Sequence, residues 1–194
     1  MQTFSRVYDR YDQAERAVRD IEAVGVPSAD ISVVANKFMA DGEPTSATAA
    51  GAETGAGIGA VVGGGVGLLA GLGMLAIPGL GPVVAVGWLA PTAVGAIAGT
   101  ATGGIVGALV GAGLSEPDAH VYSEAVRRGG TLVTVRTTDA IDKIDGLLNR
   151  HEPINALARR REYEASGWKA FDPMAPAYQT ENAEIERQRR AAKS

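Results

Sequence analysis

The chain has no cysteine, only two histidines, and no charged side chain between residues 54 and 115. Without thiols it can form no disulfide, thiolate metal site or thiol nucleophile. His120 and His151 lack a histidine four residues on or a cysteine to complete a metal set, so each reads as a surface or helix-end residue. Net charge is −4 and the flanks mix both signs, which leaves no electrostatic footprint for nucleic acid. The opening residues Met1-Gln-Thr-Phe-Ser-Arg lack the basic region and apolar run of a secretory signal, so export is not expected.

Glycine is abundant, and inside the charge-free stretch it falls on every fourth position. One run is Gly51, Gly55, Gly59, Gly63, Gly67 and Gly71, and a second is Gly95, Gly99, Gly103, Gly107 and Gly111. Positions four apart share a helix face, so each run predicts a stripe of bare backbone along a helix, suited to close helix packing. Glycine costs about 1 kcal/mol per site against alanine in a helix. That cost is tolerated where an unfolded backbone would leave polar groups in hydrocarbon, which favours a membrane setting.

Residues 54 to 77 would make about 36 Å of helix, enough for a hydrocarbon core of about 30 Å. Ile77-Pro78-Gly79-Leu80-Gly81-Pro82 then breaks the helix, and a second arm follows with a kink or restart at Pro91. Residues 51–114 are therefore read as a glycine-zipper hydrophobic helical hairpin, a transmembrane hairpin with the lipid bilayer as partner. Basic residues lie outside both ends, at Lys37, Arg127 and Arg128, which would keep both termini on the cytoplasmic side of the cytoplasmic membrane. A buried hairpin in a cytoplasmic oligomer would show the same lack of charge.

The flanks read as two halves of one small domain. Residues 3 to 8 alternate like a short strand, and Asp12 and Glu15 have the spacing of a cap and an acid three residues on. A helix follows with Ala14, Ala17, Val18, Ile21 and Val24 on one side and ends at Gly25, and residues 31 to 35 form a second strand. Residues 36–50 are a polar linker. After the insert, Ser115 caps a helix that runs to Arg128, Gly129-Gly130 stops it, and residues 131 to 135 form a third strand. Ile141, Ile144, Leu147 and Leu148 give the next helix an apolar face. Residues 3–35 and 115–150 are thus expected to join as a split α/β domain, a small three-stranded α/β sandwich with a mixed sheet.

Four segments carry a resemblance: Asp12-Gln-Ala-Glu-Arg-Ala-Val18, Gly25-Val-Pro-Ser-Ala-Asp-Ile-Ser-Val33, Ala76-Ile-Pro-Gly-Leu-Gly-Pro82 and Arg128-Gly-Gly-Thr-Leu-Val-Thr-Val135. In these, over about residues 3 to 150, the chain resembles the bacterial general stress proteins of the YflT (heat-induced) type. The resemblance implies a small α/β domain around a glycine-rich hydrophobic insert, with no established enzymatic activity and no ligand residues to carry over.

From His151 the character changes, and residues 151–194 are read as a flexible polar tail with a short helix over 181 to 190. Its Arg159-Arg160-Arg161 could meet anionic lipid, and Trp168, Phe171 and Tyr178 could dock on a partner, against the plainer reading of a solvated tail. Chemistry is otherwise missing. Gly55-x-Gly57-x-x-Ala60 and Gly71-x-Gly73-x-x-Ala76 imitate a dinucleotide fingerprint, but neither follows a strand directly or has the distal acid. Asp139, Asp142 and Asp145 recur every third residue and are read as beginning and solvating a helix, in preference to holding a cation.

No catalytic, cofactor or metal residues are expected, and the chain is read as non-enzymatic. The leading expectation is a membrane-associated general stress protein that self-associates, as a homo-oligomer, through its eleven zipper glycines. The alternatives are a soluble homo-oligomeric scaffold or ligand-binding module with the hairpin as its core, and a pore-forming oligomer.

Overall fold

A computed structural model of the chain describes residues 1–36, 73–77, 80–89 and 104–175. In chain order these form β1 (Gln2–Tyr8), α1 (Tyr11–Ala23), a short 3-10 turn (Ser28–Asp30), β2 (Ile31–Asn36), β3 (Gly73–Ile77) and β4 (Gly81–Val86). Then come α2 (Ile105–Gly111), α3 (Glu116–Arg127), β5 (Thr131–Thr137), α4 (Ile141–Arg150) and α5 (Ala156–Ala165). The fold class is mixed α/β.

The strands lie in the order β1-β5-β2-β4-β3, and each neighbouring pair is antiparallel. The three expected strands are adjacent, with β5 paired to both β1 and β2, but the expected mixed sheet is not formed. The unit β1-α1-β2 returns its second strand parallel to the first, and β5 enters between them antiparallel to both.

Side-chain alternation divides the sheet into two faces. Phe4, Tyr8, Ile31, Val33, Val133 and Val135 pack with Ala14, Ala17, Val18 and Ile21 of α1 and Ile144, Leu147 and Leu148 of α4. Val7, Val34, Leu132 and Ala85 point the other way, to α2 and α3. Beside that row, two residues along each strand on the same face, runs a buried hydroxyl row, with Ser5 and Thr134 Oγ atoms 3.2 Å apart and Ser32 next in register.

The helix ends follow local chemistry. Ser115 Oγ accepts from the Asp118 amide at the start of α3, as its position predicts. At α1 the cap is Arg10, with Asp12 inside the first turn, so the cap expected at Asp12 is displaced by two residues. There Gln13 Oε1 accepts the Arg10 amide at 3.2 Å, and Asp12 pairs with Arg10 and Arg16. Gly25, at φ +96, ends α1 in the left-handed conformation that lets its neighbours' amides cap the last carbonyls.

The insert departs from expectation. Among the described residues no helix is long and apolar enough to cross a membrane, which overturns the transmembrane hairpin. Residues 73–77 and 83–86, expected within its helical arms, lie instead in the strands Gly73–Ile77 and Gly81–Val86 of a β-hairpin, with Ile77 opposite Gly81 across the breaker loop. The physical reason is in the composition: the every-fourth glycine register stops at Gly71 and resumes at Gly95, and the gap carries Val83, Val84 and Val86. β-Branched residues suit a pleated strand better than a helix. Pro82 sits in β4 one position beyond its register with β2, which ends at Asn36 opposite Val83, so the missing amide removes no bond to β2.

Residues 151–175 are also not the flexible polar tail expected of them, because they are folded against the body. Ile154, Tyr163 and Phe171 are buried in the same cluster as α2 and α3. The helix expected over 181 to 190, together with Tyr178 and Pro91, lies outside the described residues.

Candidate functional site

Nine of the eleven zipper glycines, Gly51, Gly55, Gly59, Gly63, Gly67, Gly71, Gly95, Gly99 and Gly103, lie outside the described residues. The other two are on α2, where Gly107 is half-buried and Gly111 is exposed. A side chain added at Gly111 would meet open space. α2 turns Ile105, Val106, Ala108 and Leu109 into the core and packs on α3. Among the described residues, its contact surface is branched side chains and alanine.

The insert rejoins the α/β body at a tight junction. Gly87 follows β4 at φ +92, and a Cβ there would lie 2.2 Å from the Ile31 carbonyl oxygen and 2.8 Å from Ser32 Cα. Only a bare backbone fits between β4 and β2. Two residues on, the Leu89 amide donates to the buried Ser32 Oγ at 3.2 Å, and Leu89 itself is fully buried. Trp88, between them, lies under the Arg136 guanidinium, 4.4 Å from the ring centroid. Arg136 in turn donates to Asp30 at 2.9 Å, tying the 3-10 turn, the end of β5 and the hairpin together.

The outer edge of this hairpin is β3, Gly73-Met-Leu-Ala-Ile77. It carries no charge, and among the described residues no strand pairs with its far side. The other sheet edge is guarded. β1 carries Arg6, paired with Asp145 and hydrogen-bonded to Asn149 at 3.0 Å, and the Ile154 amide donates to the Val7 carbonyl at 2.8 Å.

The segment that guards β1 is held by an arginine and aromatic cluster. Arg159 of α5 makes two hydrogen bonds to Asp9, at 2.9 and 2.6 Å. Burial works against its charge, but the Asp9 carboxylate outweighs that and raises its pKa above the ordinary arginine value. Arg128 stacks over Tyr163 at 4.3 Å, and Trp168 meets the same ring edge-on at 5.6 Å. The carboxylate of Glu124, fully buried in α3, is held by Arg127 at 2.6 Å and Arg128 at 2.6 Å. The basic triplet is therefore not a free patch for lipid: Arg159 faces Asp9, Arg160 lies 3.5 Å from Asp118, and Arg161 alone is exposed. Trp168 and Phe171 dock within the chain.

The remaining candidates sit apart. His151 Nε2 lies 2.9 Å from Asp20, while His120, half-buried on α3, accepts the Phe171 amide at Nδ1 at 3.2 Å. Asp139 and Asp142 are exposed at the start of α4, and Asp145 is occupied by Arg6 and Asn149. Among the described residues no group of three or more His, Cys, Asp or Glu side chains could hold a metal ion. Burial pushes the Tyr8 phenol above the usual tyrosine range, and its hydroxyl donates to the Leu148 carbonyl at 2.8 Å, a structural role.

Sequence reasoning missed the buried Glu124 and the C-terminal clasp. The first had a signal in its two arginines at i+3 and i+4. The second had only the cap residue Asn155, whose Oδ1 accepts the Ala158 amide at 2.9 Å, and the stop at Gly167. Compared with known proteins, the chain matches no family model, no curated protein and no solved structure.

Proposed function

We propose that the chain is a non-enzymatic protein of the general stress type it resembles, whose α/β body mounts a glycine-rich insert and whose copies associate through that insert. What carries the reading is the asymmetry of the sheet edges. An uncharged edge strand is a template for pairing with another chain, and proteins normally blunt such edges with charge or cover. β1 has both, in Arg6 and the Ile154 strap, whereas β3 has neither among the described residues. Antiparallel pairing of β3 with its counterpart in a second copy would be a two-fold contact in which both chains use the same residues. The mechanism is backbone pairing and apolar packing, with no bond-making step.

The test is a charge on the edge. Leu75→Lys should convert the assembly to monomer by light scattering, with the circular dichroism of the α/β body retained. If the chain is monomeric to begin with, or the variant keeps its oligomeric size, the reading fails.

A further inference from the structure

Residues 151 to 175 form a strap on the β1 side of the sheet. Glu152 turns the chain at φ +55 after α4, and the Ile154 amide then reaches the Val7 carbonyl of β1 at 2.8 Å. Arg159 holds Asp9, two residues beyond Val7, through two hydrogen bonds, and the buried Tyr163 lies under Arg128. The anchors of the strap therefore converge on the end of β1.

Which groups it covers follows from the ladder. In an antiparallel pair the N–H and C=O of one residue point to the same side, and successive residues alternate. Ile154 meets the Val7 carbonyl from outside, so Val7, Ser5 and Thr3 turn their main-chain groups away from β5. Two contacts agree with this. The Ser5 carbonyl accepts from Arg6 Nη1 at 2.8 Å, and the Ser5 and Thr134 hydroxyls lie 3.2 Å apart, as close side chains do opposite each other in a pair that exchanges no ladder bonds. Of the three outward carbonyls, the strap takes one and Arg6 a second. Arg6 also holds Asn149 through Nε and Asp145 through Nη2, so an incoming strand would displace only its Nη1 contact.

The far edge, β3, is uncharged and, among the described residues, has no strand on its outer side. Two open edges on one chain are complementary. β3 of one copy would add to β1 of the next, and each added copy would offer its own free edge onward, so the contact is head to tail and repeats without limit. Pairing of β3 with β3 instead uses up the open edge of both chains and stops at two. We propose that the strap is an assembly stop: by occupying β1 it withholds that edge from the β3 of a second copy, and its release lets copies join head to tail. The inference rests on the β3 association proposed above and names what limits it.

The test undoes the anchors in the full chain. Arg159→Ala combined with Tyr163→Ala removes the clamp and the buried ring, and neither residue belongs to the cluster that holds α1 and α4 on the other face of the sheet. Circular dichroism and amide protection in β5 check that the body stays folded; should it not, Arg159→Ala alone carries the same readings. Exchange at Ile154 should become fast, and light scattering should give a mass at least about twofold above wild type that rises with concentration. Two additions identify the edges. Leu75→Lys blocks β3 and should return the released chain to monomer. Thr3→Pro removes an outward amide of β1 without taking a bond from β5, and should return it to the wild-type pair. Growth that survives either addition is unspecific aggregation and overturns the stop, as does a released, folded chain of unchanged mass. A monomeric wild type that grows only on release, and is sensitive to both additions, would instead remove the β3 pairing of intact chains and keep the stop.

Discussion

The two edges of the sheet are finished by opposite means. β1 lies beside a C-terminal strap fixed by a charged pair, Arg159 with Asp9, and by a main-chain bond from Ile154 to Val7. β3 and β4 come from the middle of a stretch with no charge at all, and they are joined to β2 by close backbone contact at Gly87. One edge is held mainly by side chains that reach across the fold, the other mainly by backbone that a missing side chain lets approach. The contrast teaches that, among the described residues, the body is closed on the side of the strap and open on the side of the insert, which is where association is proposed.

The sharpest break in the comparison is Gly87→Ala. Its methyl would lie 2.2 Å from a carbonyl oxygen and 2.8 Å from a Cα, both backbone atoms that cannot swing aside. The expected loss is about 3 kcal/mol or more, with amides of β4 exchanging quickly and those of β1 and β5 still protected. Gly25→Ala is the control. It has nearly the same φ, +96, but open space where the methyl would stand, so only the backbone penalty of about 1 to 2 kcal/mol should appear in denaturant unfolding. Equal losses at the two sites would mean that the β4 to β2 approach is looser than described.

Much of the body was legible because its signals are local. Alternation in residues 3 to 8 and 131 to 135, the apolar stripe of α1, the Ser115 cap and the glycines that stop helices each act within one turn or one strand. Within the insert, the strands at 73–77 and 81–86 escape a sequence reading because a periodic glycine register invites extension across its own gap. Gly71 and Gly95 end and restart the pattern, and the valines between them were the contrary signal. The strap was illegible for a different reason. Ile154, Tyr163 and Phe171 are too widely spaced to show a period, and the partners that fix the segment, Asp9 and His120, are remote in sequence. Pairing at that distance is decided by topology, which no window of residues contains.

An intermediate effect is expected at the guarded edge. Arg159→Ala removes two charge-assisted hydrogen bonds and leaves Asp9 partly exposed, so water replaces part of what is lost. A loss of about 2 kcal/mol is expected, smaller than breaking a fully buried pair. Exchange at Ile154 should rise while β4 is untouched, the mirror image of Gly87→Ala. If β4 loosens as well, the two edges are one cooperative unit and the comparison dissolves.

The smallest effect probes the Arg136–Asp30 ion pair on the insert side. Arg136 stacks on Trp88 at 4.4 Å and donates to Asp30 at 2.9 Å, with about a third of each charged side chain exposed, at 30% and 28%. Lysine would keep the charge but lose the flat guanidinium that lies on the indole while its fork reaches the carboxylate. Arg136→Lys should therefore cost about 0.5 to 1 kcal/mol, most of it the stack. A double-mutant cycle with Trp88→Leu isolates that share: coupling of about 0.5 kcal/mol between the two positions is expected. Coupling near zero would leave the junction to the β2 to β4 ladder, the close approach at Gly87 and the Leu89 bond to Ser32, and would sharpen the contrast with the charge-held β1 edge.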